Sequence, residues 1–209
     1  MTRNGYITFL KALNSDYPRY GTLFDVIYQH RCKHLVEIGV YNGRHARQMI
    51  RAASAIWHHS EITYNGFDLF ESMTEADYRS EFSKIPKTTA EVGALLVNTA
   101  AEVHLHMGDT RDSLPLALPK IPCIDFVFID GGHATDTIAH DWGQVEKAMQ
   151  PHTVVVFDDY YDNPMDGYGC QELIDGLDRT RYSVEMSEAD ATPQVWGTLY
   201  IRMAIVRRK

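Results

Sequence analysis

The sequence predicts an α/β fold in which a mostly parallel sheet carries helices on both faces. Five short apolar segments alternate with helical patterns, which is typical of parallel strands joined by crossover helices. They lie at about 34–39, 62–68, 102–107, 124–130 and 152–158. The run TVVVF at 153–157 is apolar without alternation, as expected of a strand covered on both faces. Two further segments, near 181–186 and 197–206, have no helix between them, so we expect a final antiparallel hairpin and seven strands in all.

Helical patterns fill the gaps between these strands and also precede the first of them. They lie at about 44–57, 88–100, 134–149 and 169–178, with a further helical segment near 4–31. We therefore divide the chain into an N-terminal helical segment, residues 1–32, and one larger domain, residues 33–209. A hydrophobic content of 44% in 209 residues is ample for one packed domain.

Composition excludes several classes of partner. The formal net charge of −8 argues against nucleic acid, because binding a polyanion needs a basic surface. No apolar run approaches the roughly 20 residues that span a bilayer, and no signal peptide is recognisable, so we expect no membrane partner. Three widely spaced cysteines, Cys32, Cys123 and Cys170, imply neither a disulfide framework nor a zinc knuckle. Reduced thiols in a cytoplasmic protein are the expectation.

Carboxylates follow the predicted parallel strands at the edge where an open sheet binds its ligands. Each of the five strands ends on, or just before, at least one of them. They are Glu37, Asp68, Asp109, Asp130 and the pair Asp158 and Asp159. A single aspartate of this kind can simply cap a turn or a helix. Together they predict an acidic cleft.

The turn after the first strand reads EIGVYNG, in which Gly39 and Gly43 allow the backbone to approach a ligand closely. The spacing differs from the G-x-G-x-x-G of dinucleotide sites, and a plain strand-to-helix turn is the alternative. Asp68, at the end of the second strand, is placed to accept hydrogen bonds from the hydroxyls of a ribose.

The carboxylates of the fourth and fifth strands require a compensating charge. Asp130 and Asp158 should end neighbouring strands, which lie about 4.8 Å apart. Two like charges about 4 Å apart cost on the order of 4 kcal/mol at an effective dielectric near 20. With Asp159 included, we expect either a shared proton or a bound cation, unless Asp159 points away and caps a turn. Oxygen ligands favour a hard divalent ion such as Mg²⁺, with Mn²⁺ and Ca²⁺ as alternatives.

At this point the chain resembles the class I S-adenosylmethionine-dependent methyltransferases. The order of five segments carries the resemblance: VEIGVYNGRHA, GFDLFE, GDTRDSL, FVFIDGGHATDTIAHDW and VVVFDDYYDNP. Within that class it is most similar to the metal-dependent O-methyltransferases that include the macrocin-type sugar enzymes, over about 33–165. The resemblance implies a Rossmann-like three-layer α/β/α sandwich with a seven-stranded sheet. It also implies methylation of a hydroxyl on a small molecule such as a sugar, a phenolic or a natural product.

The resemblance implies six residues that bind S-adenosylmethionine. They are Glu37, Gly39 and Gly43 for the methionine part, Asp68 for the ribose, and Asp109 with Thr110 for the adenine.

The resemblance also implies a catalytic centre on the last two parallel strands. Asp130, Asp158 and Asp159 match the family's metal-binding carboxylates. Many relatives carry an aspartate two positions after the first of these, where this chain has Gly132. The predicted general base is therefore His133, with Asp130 beside it as the second catalytic residue. The alternative for His133 is a polar residue at a helix start, bonded to backbone.

Other segments are expected to shape the acceptor site. Tyr160, Tyr161, Asn163 and Tyr168 follow the fifth strand and could line an acceptor pocket. The long connection at 70–89, called the cover segment below, could close over the cleft. The N-terminal helices could serve acceptor binding or a homodimer, and the sequence does not separate these.

Two other functions stay open at this stage. One is an NAD(P)-dependent oxidoreductase, because Asp68 could hold the ribose of a dinucleotide. The other is a non-catalytic nucleotide-binding module on the same fold.

Overall fold

A central eight-stranded sheet organises the part of the chain that the computed structural model describes, residues 3–12, 17–81, 84–194 and 197–209. The strands are β1 His34–Ile38, β2 Thr63–Asp68, β3 Glu102–Met107, β4 Phe126–Ile129, β5 Val154–Tyr161, β6 Tyr182–Met186, β7 Asp190–Gln194 and β8 Gly197–Arg208. The helices are α1 Arg3–Ala12, α2 Gly21–Gln29, α3 Arg44–Ser54, α4 Glu75–Ser80, α5 Thr89–Leu96, α6 Thr110–Ala117, α7 Thr135–Ala148 and α8 Gln171–Asp175.

The strands follow the order β3-β2-β1-β4-β5-β8-β6, and β7 pairs with β8 outside this order. Strands β1 to β5 are parallel, whereas β8 runs antiparallel to β5, β6 and β7. Helices α1, α2, α3 and α5 contribute to the apolar core on one face of the sheet. Helices α6, α7 and α8 contribute to the core on the other face. The result is the predicted three-layer α/β/α sandwich.

The register of the central strands determines where the acidic residues lie. Ile38 of β1 pairs with Ile129 of β4, and Ile129 pairs with Phe157 of β5. The residues that follow these partners therefore lie side by side at the ends of the strands. Asp130 lies beside Asp158, as the sequence predicted.

The fold class predicted from the sequence is confirmed, with one strand more than expected. Strand β7 lies between the two strands that were expected to form a simple hairpin, and it pairs with the first half of β8. It was missed because its sequence DATPQ lacks apolar alternation and contains Pro193, which cannot donate to a ladder. Helix α6 was missed for a similar reason, because Pro115 lies inside it.

The N-terminal helices pack into the same core as the sheet. Leu10 of α1 and Phe24 of α2 are fully buried in one cluster with Leu35 of β1. The boundary at residue 32 stays a prediction. Residues 13–16 of the predicted N-terminal helical segment and residues 82–83 of the cover segment lie outside the described residues. Within those that are described, no helix has the length and apolar character needed to cross a bilayer.

Gly39 lies where the end of β1 comes very close to the end of β4. Its φ is +93°, and a Cβ at this position would lie 2.0 Å from the carbonyl oxygen of Asp130. By contrast, a Cβ added to Gly143, in the middle of α7, would meet nothing within 4 Å.

We expect Gly39→Ala to lower the free energy of unfolding by more than about 2 kcal/mol, because it adds both backbone strain and a clash with the neighbouring strand. Gly143→Ala serves as the control and should raise the free energy by about 0.5–1 kcal/mol, since alanine favours a helix. Urea unfolding followed by circular dichroism measures both. A Gly39→Ala variant as stable as the parent would contradict this account of the turn.

Candidate active site

A cavity of about 580 Å³ lies at the edge of the sheet where the parallel strands end. Its volume is in the range of pockets that bury a small organic ligand. The wall is built from the N-terminal turn, the ends of β1, β2, β4 and β5, the start of α6 and the cover segment. The polar and glycine residues of the wall include Arg19, Tyr20, Gly39, Asp68, Glu81, Asp109, Thr110, Asp130, His133, Asp158 and Asp159.

The turn after β1 contributes one of its two glycines to the cavity wall. Gly39 lines the cavity. Gly43 instead begins helix α3 with φ +73°, and a Cβ there would crowd the side chains of Val92 and Leu95 in α5. The turn therefore needs Gly43 for packing and a positive φ, and Gly39 for a positive φ and the close approach to the backbone of Asp130.

Glu37 is buried in the core and is not among the described residues of the cavity wall. The Tyr64 hydroxyl donates a hydrogen bond to its Oε2, while Oε1 has no partner. Burial raises the pKa of Glu37 to about 8. The predicted contact of Glu37 with the cofactor stays a prediction, and the contact that the structure gives it is with Tyr64.

Asp68 holds the turn after β1 through its carboxylate. Oδ2 accepts hydrogen bonds from the backbone N–H groups of Val40 at 2.8 Å and Tyr41 at 2.7 Å. Oδ1 accepts one from Phe70 N at 3.1 Å. A carboxylate has about four lone-pair sites, so about one of them stays available to a ligand hydroxyl. Asp68 therefore shapes the loop beside it, and its predicted contact with a ribose hydroxyl stays a prediction.

Asp109 and Thr110 lie at the start of α6, on the cavity wall. Asp109 caps the helix by accepting a hydrogen bond from Arg111 N at 2.8 Å. The Thr110 hydroxyl is hydrogen-bonded to buried Asp141, whose pKa burial raises to about 6. Their predicted position beside an adenine is compatible with this location and stays a prediction.

Two consecutive aspartates of β5 face the same cavity because the strand is irregular there. The register between β5 and β8 shifts between Phe157 and Tyr160, and Asp159 has a φ of +59°. In a regular strand, neighbouring side chains point to opposite faces. The bulge lets both Asp158 and Asp159 line the cavity.

Arg19 supplies the positive charge beside these aspartates. Its Nε lies 2.8 Å from Oδ1 of Asp158, and its Nη2 lies 3.1 Å from Oδ2, which is a bidentate pair. Its Nη1 donates to Oδ2 of Asp190 at 3.0 Å. The Arg19 and Asp158 side chains are only 7% and 2% exposed. The geometry therefore defines a buried ionic cluster that joins the N-terminal turn, β5 and β7.

The pKa values of two neighbouring carboxyls in this cluster, Asp158 and Asp130, shift in opposite directions. Burial alone would raise the pKa of Asp158, and the Arg19 guanidinium more than offsets this, so the pKa is lowered. Burial, followed by the charges of Asp158 and Asp159, raises the pKa of Asp130 well above its usual range. An internal guanidinium, which the sequence did not predict, thus compensates Asp158, and the raised pKa of Asp130 favours its protonated form.

The predicted divalent-metal site does not fit this arrangement. Both oxygens of Asp158 are engaged by the Arg19 guanidinium. The three predicted ligands Asp130, Asp158 and Asp159 are not among the described side chains whose ligand atoms converge within 4.8 Å of one another. A divalent ion would have to displace a guanidinium that is buried with its carboxylate.

Aromatic side chains complete the surroundings of Arg19. The Tyr20 ring lies 4.6 Å from the guanidinium carbon and stacks on His45 with a centroid distance of 4.0 Å. Burial lowers the pKa of His45 to about 4, so its ring is neutral at pH 7. Sequence reasoning missed Arg19, Tyr20 and His45 because they precede the first strand or follow the glycine turn. The one local signal is PRY at 18–20, where proline starts a short helical turn.

His133 sits between the cover segment and β5. Its Nδ1 lies 2.6 Å from the carbonyl oxygen of Glu81, which can only accept, so Nδ1 carries a hydrogen. Its Nε2 lies 3.3 Å from Oδ2 of Asp159. Nε2 is the ring nitrogen left for a proton, and a protonated His133 would form an ion pair with Asp159 at this distance. Burial, followed by the charge of Asp158, raises the pKa of Asp159 to about 6.

Glu81 fills the space beside Gly132, the position where the resemblance led us to expect an acid. A Cβ at Gly132 would lie 2.8 Å from Oε2 of Glu81. The Glu81 carboxylate accepts hydrogen bonds from Ala134 N at 2.9 Å and from the Thr137 hydroxyl at 2.7 Å. Helix α7 has no side-chain cap of its own at Ala134. Glu81 therefore caps α7 from the cover segment and brings a carboxylate to a position where the sequence lacks one.

The tyrosines after β5 do not form the predicted acceptor pocket. Tyr160, Tyr161, Asn163 and Tyr168 are absent from the described part of the cavity wall. The Tyr160 hydroxyl donates instead to Asp175 at 3.1 Å. The Tyr161 side chain is hydrogen-bonded to Asp159, so it contacts a residue of the wall without lining the cavity itself. The wall beside Arg19 is formed by residues that sequence reasoning did not select, Tyr17, Tyr20, Thr192 and Ile201.

Comparison with known proteins assigns the family. A family described as Methyltransferase domain matches residues 36–160, which is more than half of the chain. The chain belongs to this methyltransferase family, and the resemblance seen in the sequence is confirmed. No curated protein sequence matches the chain significantly.

Solved structures of methyltransferases share the fold at low sequence identity. The O-methyltransferase TomG from Streptomyces achromogenes, in complex with SAM, is 17% identical, with a TM-score of 0.61 over 97% of this chain and 89% of that one. An O-methyltransferase from Bacillus cereus, in complex with SAH, is 17% identical, with a TM-score of 0.60 over 99% and 90%. An rRNA methylase from Streptococcus thermophilus is 10% identical, with a TM-score of 0.58 over 91% and 96%.

We expect Glu81→Ala to lower the free energy of unfolding by about 0.5–2 kcal/mol, the usual cost of losing a helix cap. Glu75→Ala is the matched control, because Glu75 is an exposed residue on α4 of the same cover segment. Urea unfolding measures both, and equal stability of the two variants would contradict the capping role of Glu81.

The buried Glu37 carboxyl should make stability depend on pH. Its folded pKa of about 8 lies above the ordinary value near 4.3, so between these pH values the folded chain holds a proton that the unfolded chain releases. Stability therefore falls as pH rises through this window, by at most about 1.4 kcal/mol per pH unit. Glu37→Gln should lose less stability than the parent between about pH 5 and about pH 8. Urea unfolding at several pH values tests this, with Glu102→Gln on an exposed strand position as control. A parent-to-variant difference that does not change with pH would contradict it.

Proposed function

We propose that the protein is an S-adenosylmethionine-dependent O-methyltransferase that acts on a hydroxyl of a small molecule, such as a sugar, a phenolic or a natural product. The observation that carries the proposal is the cavity itself. It brings the bare Gly39 backbone, the Asp68 carboxylate and the His133–Asp159 pair around one space at the carboxyl end of the sheet. Family membership supports methyl transfer, and the likeness to TomG and the Bacillus cereus enzyme supports an oxygen acceptor.

The residues of the cavity suit the cofactor. When bound, S-adenosylmethionine supplies a methyl group on a positively charged sulfonium. Gly39 lines the cavity without a side chain, and Asp68 keeps about one acceptor site for a ribose hydroxyl. Asp109 and Thr110 stand at the position proposed for the adenine. The acidic rim favours a cationic ligand, in keeping with the net charge of −8.

The His133–Asp159 pair is placed to take the proton of the acceptor. In O-methylation the acceptor oxygen gains a bond to the methyl carbon as the bond from sulfur to that carbon breaks, and the acceptor hydroxyl loses its proton. His133 is fixed by Glu81 on one side and faces Asp159 with Nε2 on the other. We propose that the pair receives this proton, with Asp130 as the neighbouring acid.

Metal dependence, which the resemblance implied, is not confirmed. We propose that Arg19 provides the positive charge that a divalent ion at Asp130, Asp158 and Asp159 would otherwise provide. The bidentate contact and the burial of both partners support this reading. No step of the proposed reaction is assigned to a metal.

The competing functions have less support. Membership in the methyltransferase family argues against an NAD(P)-dependent oxidoreductase. The fold is shared with an rRNA methylase, but the negative charge argues against an RNA acceptor. A non-catalytic nucleotide-binding module would not need the His133–Asp159 pair at the cavity to accept a proton. The oligomeric state, including a homodimer, stays a question for solution measurement.

We expect S-adenosylhomocysteine to bind in titration calorimetry, with NAD as the negative comparison. Asp68→Ala should weaken this binding by about 1.5–3 kcal/mol, because it removes a charged acceptor and loosens the loop at Val40 and Tyr41. Asp25→Ala, a surface change on α2, is the control and should leave the affinity unchanged. Binding of NAD in preference to S-adenosylhomocysteine would overturn the proposed function, and equal affinity of the Asp68 variant would remove Asp68 from the site.

We expect the parent protein to bind no Mn²⁺ at the carboxylates of β4 and β5, and Arg19→Ala to gain a Mn²⁺ site there, because three carboxylates then lose their cation. Electron paramagnetic resonance of free Mn²⁺ measures this without any acceptor. Arg202→Ala is the matched control, since Arg202 also makes a bidentate contact, with Asp162 outside the cavity. Mn²⁺ binding by the parent that is lost in Asp158→Asn would contradict the role of Arg19. Breaking a buried ion pair costs about 3–5 kcal/mol, so Arg19→Ala could be too unstable to study. The comparison of the parent with Asp158→Asn does not need that variant.

A further inference from the structure

Metal-type side chains also converge at the opposite edge of the sheet, where the parallel strands begin. His34 is the first residue of β1, and Cys123 and Asp125 precede β4. His152 precedes β5. Because β1, β4 and β5 are neighbours in the sheet, their starts meet at one place, just as their ends meet at the cavity. None of these four residues belongs to the described cavity wall.

Three of these side chains are spaced like the ligands of one metal ion. Cys123 Sγ lies 3.6 Å from Asp125 Oδ1 and 3.6 Å from His152 Nε2. His152 Nε2 lies 3.2 Å from the same Asp125 oxygen. In tetrahedral zinc sites the metal is about 2.3 Å from sulfur and about 2.0–2.2 Å from nitrogen and oxygen, which separates ligand atoms by about 3.3–3.6 Å. The three observed distances therefore match the edges of one face of such a tetrahedron.

His34 is the natural fourth member of the group. One of its ring nitrogens lies within 4.8 Å of the ligand atoms of Cys123 and Asp125. Its Nδ1 is 2.9 Å from the Thr63 hydroxyl, a contact of the kind that orients metal-binding histidines and leaves Nε2 for the metal.

The remaining contacts hold Asp125 in place for this role. Its second oxygen, Oδ2, accepts hydrogen bonds from the backbone N–H groups of Lys33 and His34, both at 2.9 Å. This fixes the carboxylate at the start of β1 and leaves Oδ1 directed at Cys123 and His152. Cys123 and Asp125, from one segment, and His152, from a distant one, thus meet at this oxygen.

We propose that Cys123, Asp125, His152 and His34 form a binding site for a divalent ion of the zinc class. A set of one thiolate, imidazole nitrogens and one carboxylate suits Zn²⁺ better than Mg²⁺ or Ca²⁺, which prefer oxygen ligands alone. Binding releases the thiol proton of Cys123 to solvent and forms a bond from sulfur to the metal, with no change of oxidation state. Such an ion would tie together the starts of β1, β4 and β5, at the edge remote from the cavity.

Cobalt substitution tests the site directly. The full chain, treated with a chelator and then titrated with Co²⁺, should show the near-ultraviolet charge-transfer band of a cobalt–thiolate bond and the visible bands of a tetrahedral ion. Cys123→Ala should abolish the charge-transfer band. His152→Ala should weaken Co²⁺ binding by about tenfold or more, and it keeps the test decisive if the cysteine variant folds poorly.

Two controls separate this site from other thiols and histidines. Cys170→Ala removes a buried thiol elsewhere, and His58→Ala removes an exposed histidine elsewhere. Both should keep the charge-transfer band and the affinity of the parent. S-adenosylhomocysteine binding should be unchanged in all four variants, so the outcome is independent of the proposed function. The absence of a charge-transfer band in the parent, or its persistence in Cys123→Ala, would overturn the proposal.

Discussion

The ionic cluster around Arg19 is the interaction on which the rest of the cavity depends. A parallel sheet with aligned register places Asp130 and Asp158 side by side, and the bulge in β5 adds Asp159. Three carboxylates in one partly dry space repel one another by several kcal/mol unless a cation or protons compensate them. Arg19 meets this requirement from the N-terminal turn, which lies far from these residues in the sequence. The segment before β1 is thus part of the cavity, and its helices are held in the same core as the sheet.

The unequal charges around this cluster also shift the pKa of Asp159, on the side of the cavity that faces His133. Asp158, paired with Arg19, stays ionised, and its charge helps to raise the pKa of Asp159 to about 6. Asp159 lies 3.3 Å from Nε2 of His133. The cover segment fixes the other ring nitrogen through the Glu81 carbonyl oxygen, while the Glu81 carboxylate caps α7. One residue of the cover segment therefore contacts both the start of α7 and the proposed base.

The local sequence pattern was sufficient to predict the fold and the strand-end residues that line the cavity. Apolar runs and strand-end aspartates predicted the sheet, its open edge and the position of Asp68, because these depend on periodicity and on strand direction. Arg19 and Glu81 could not be found in this way, since their roles arise only when distant segments meet in space. The same limit explains Gly132, where the sequence shows a missing acid and the fold brings Glu81 to the gap. Strand β7 was missed because pairing with β8, and not its own apolar pattern, makes it a strand.

The central claim is that an internal guanidinium, and not a divalent ion, balances the carboxylates of β4 and β5. A crystal structure of the protein grown with Mn²⁺ and S-adenosylhomocysteine tests it most directly, through anomalous scattering from manganese. The account predicts no anomalous peak among Asp130, Asp158 and Asp159, with the Arg19 guanidinium in bidentate contact with Asp158. A manganese peak between these carboxylates, with Arg19 displaced from Asp158, would contradict it.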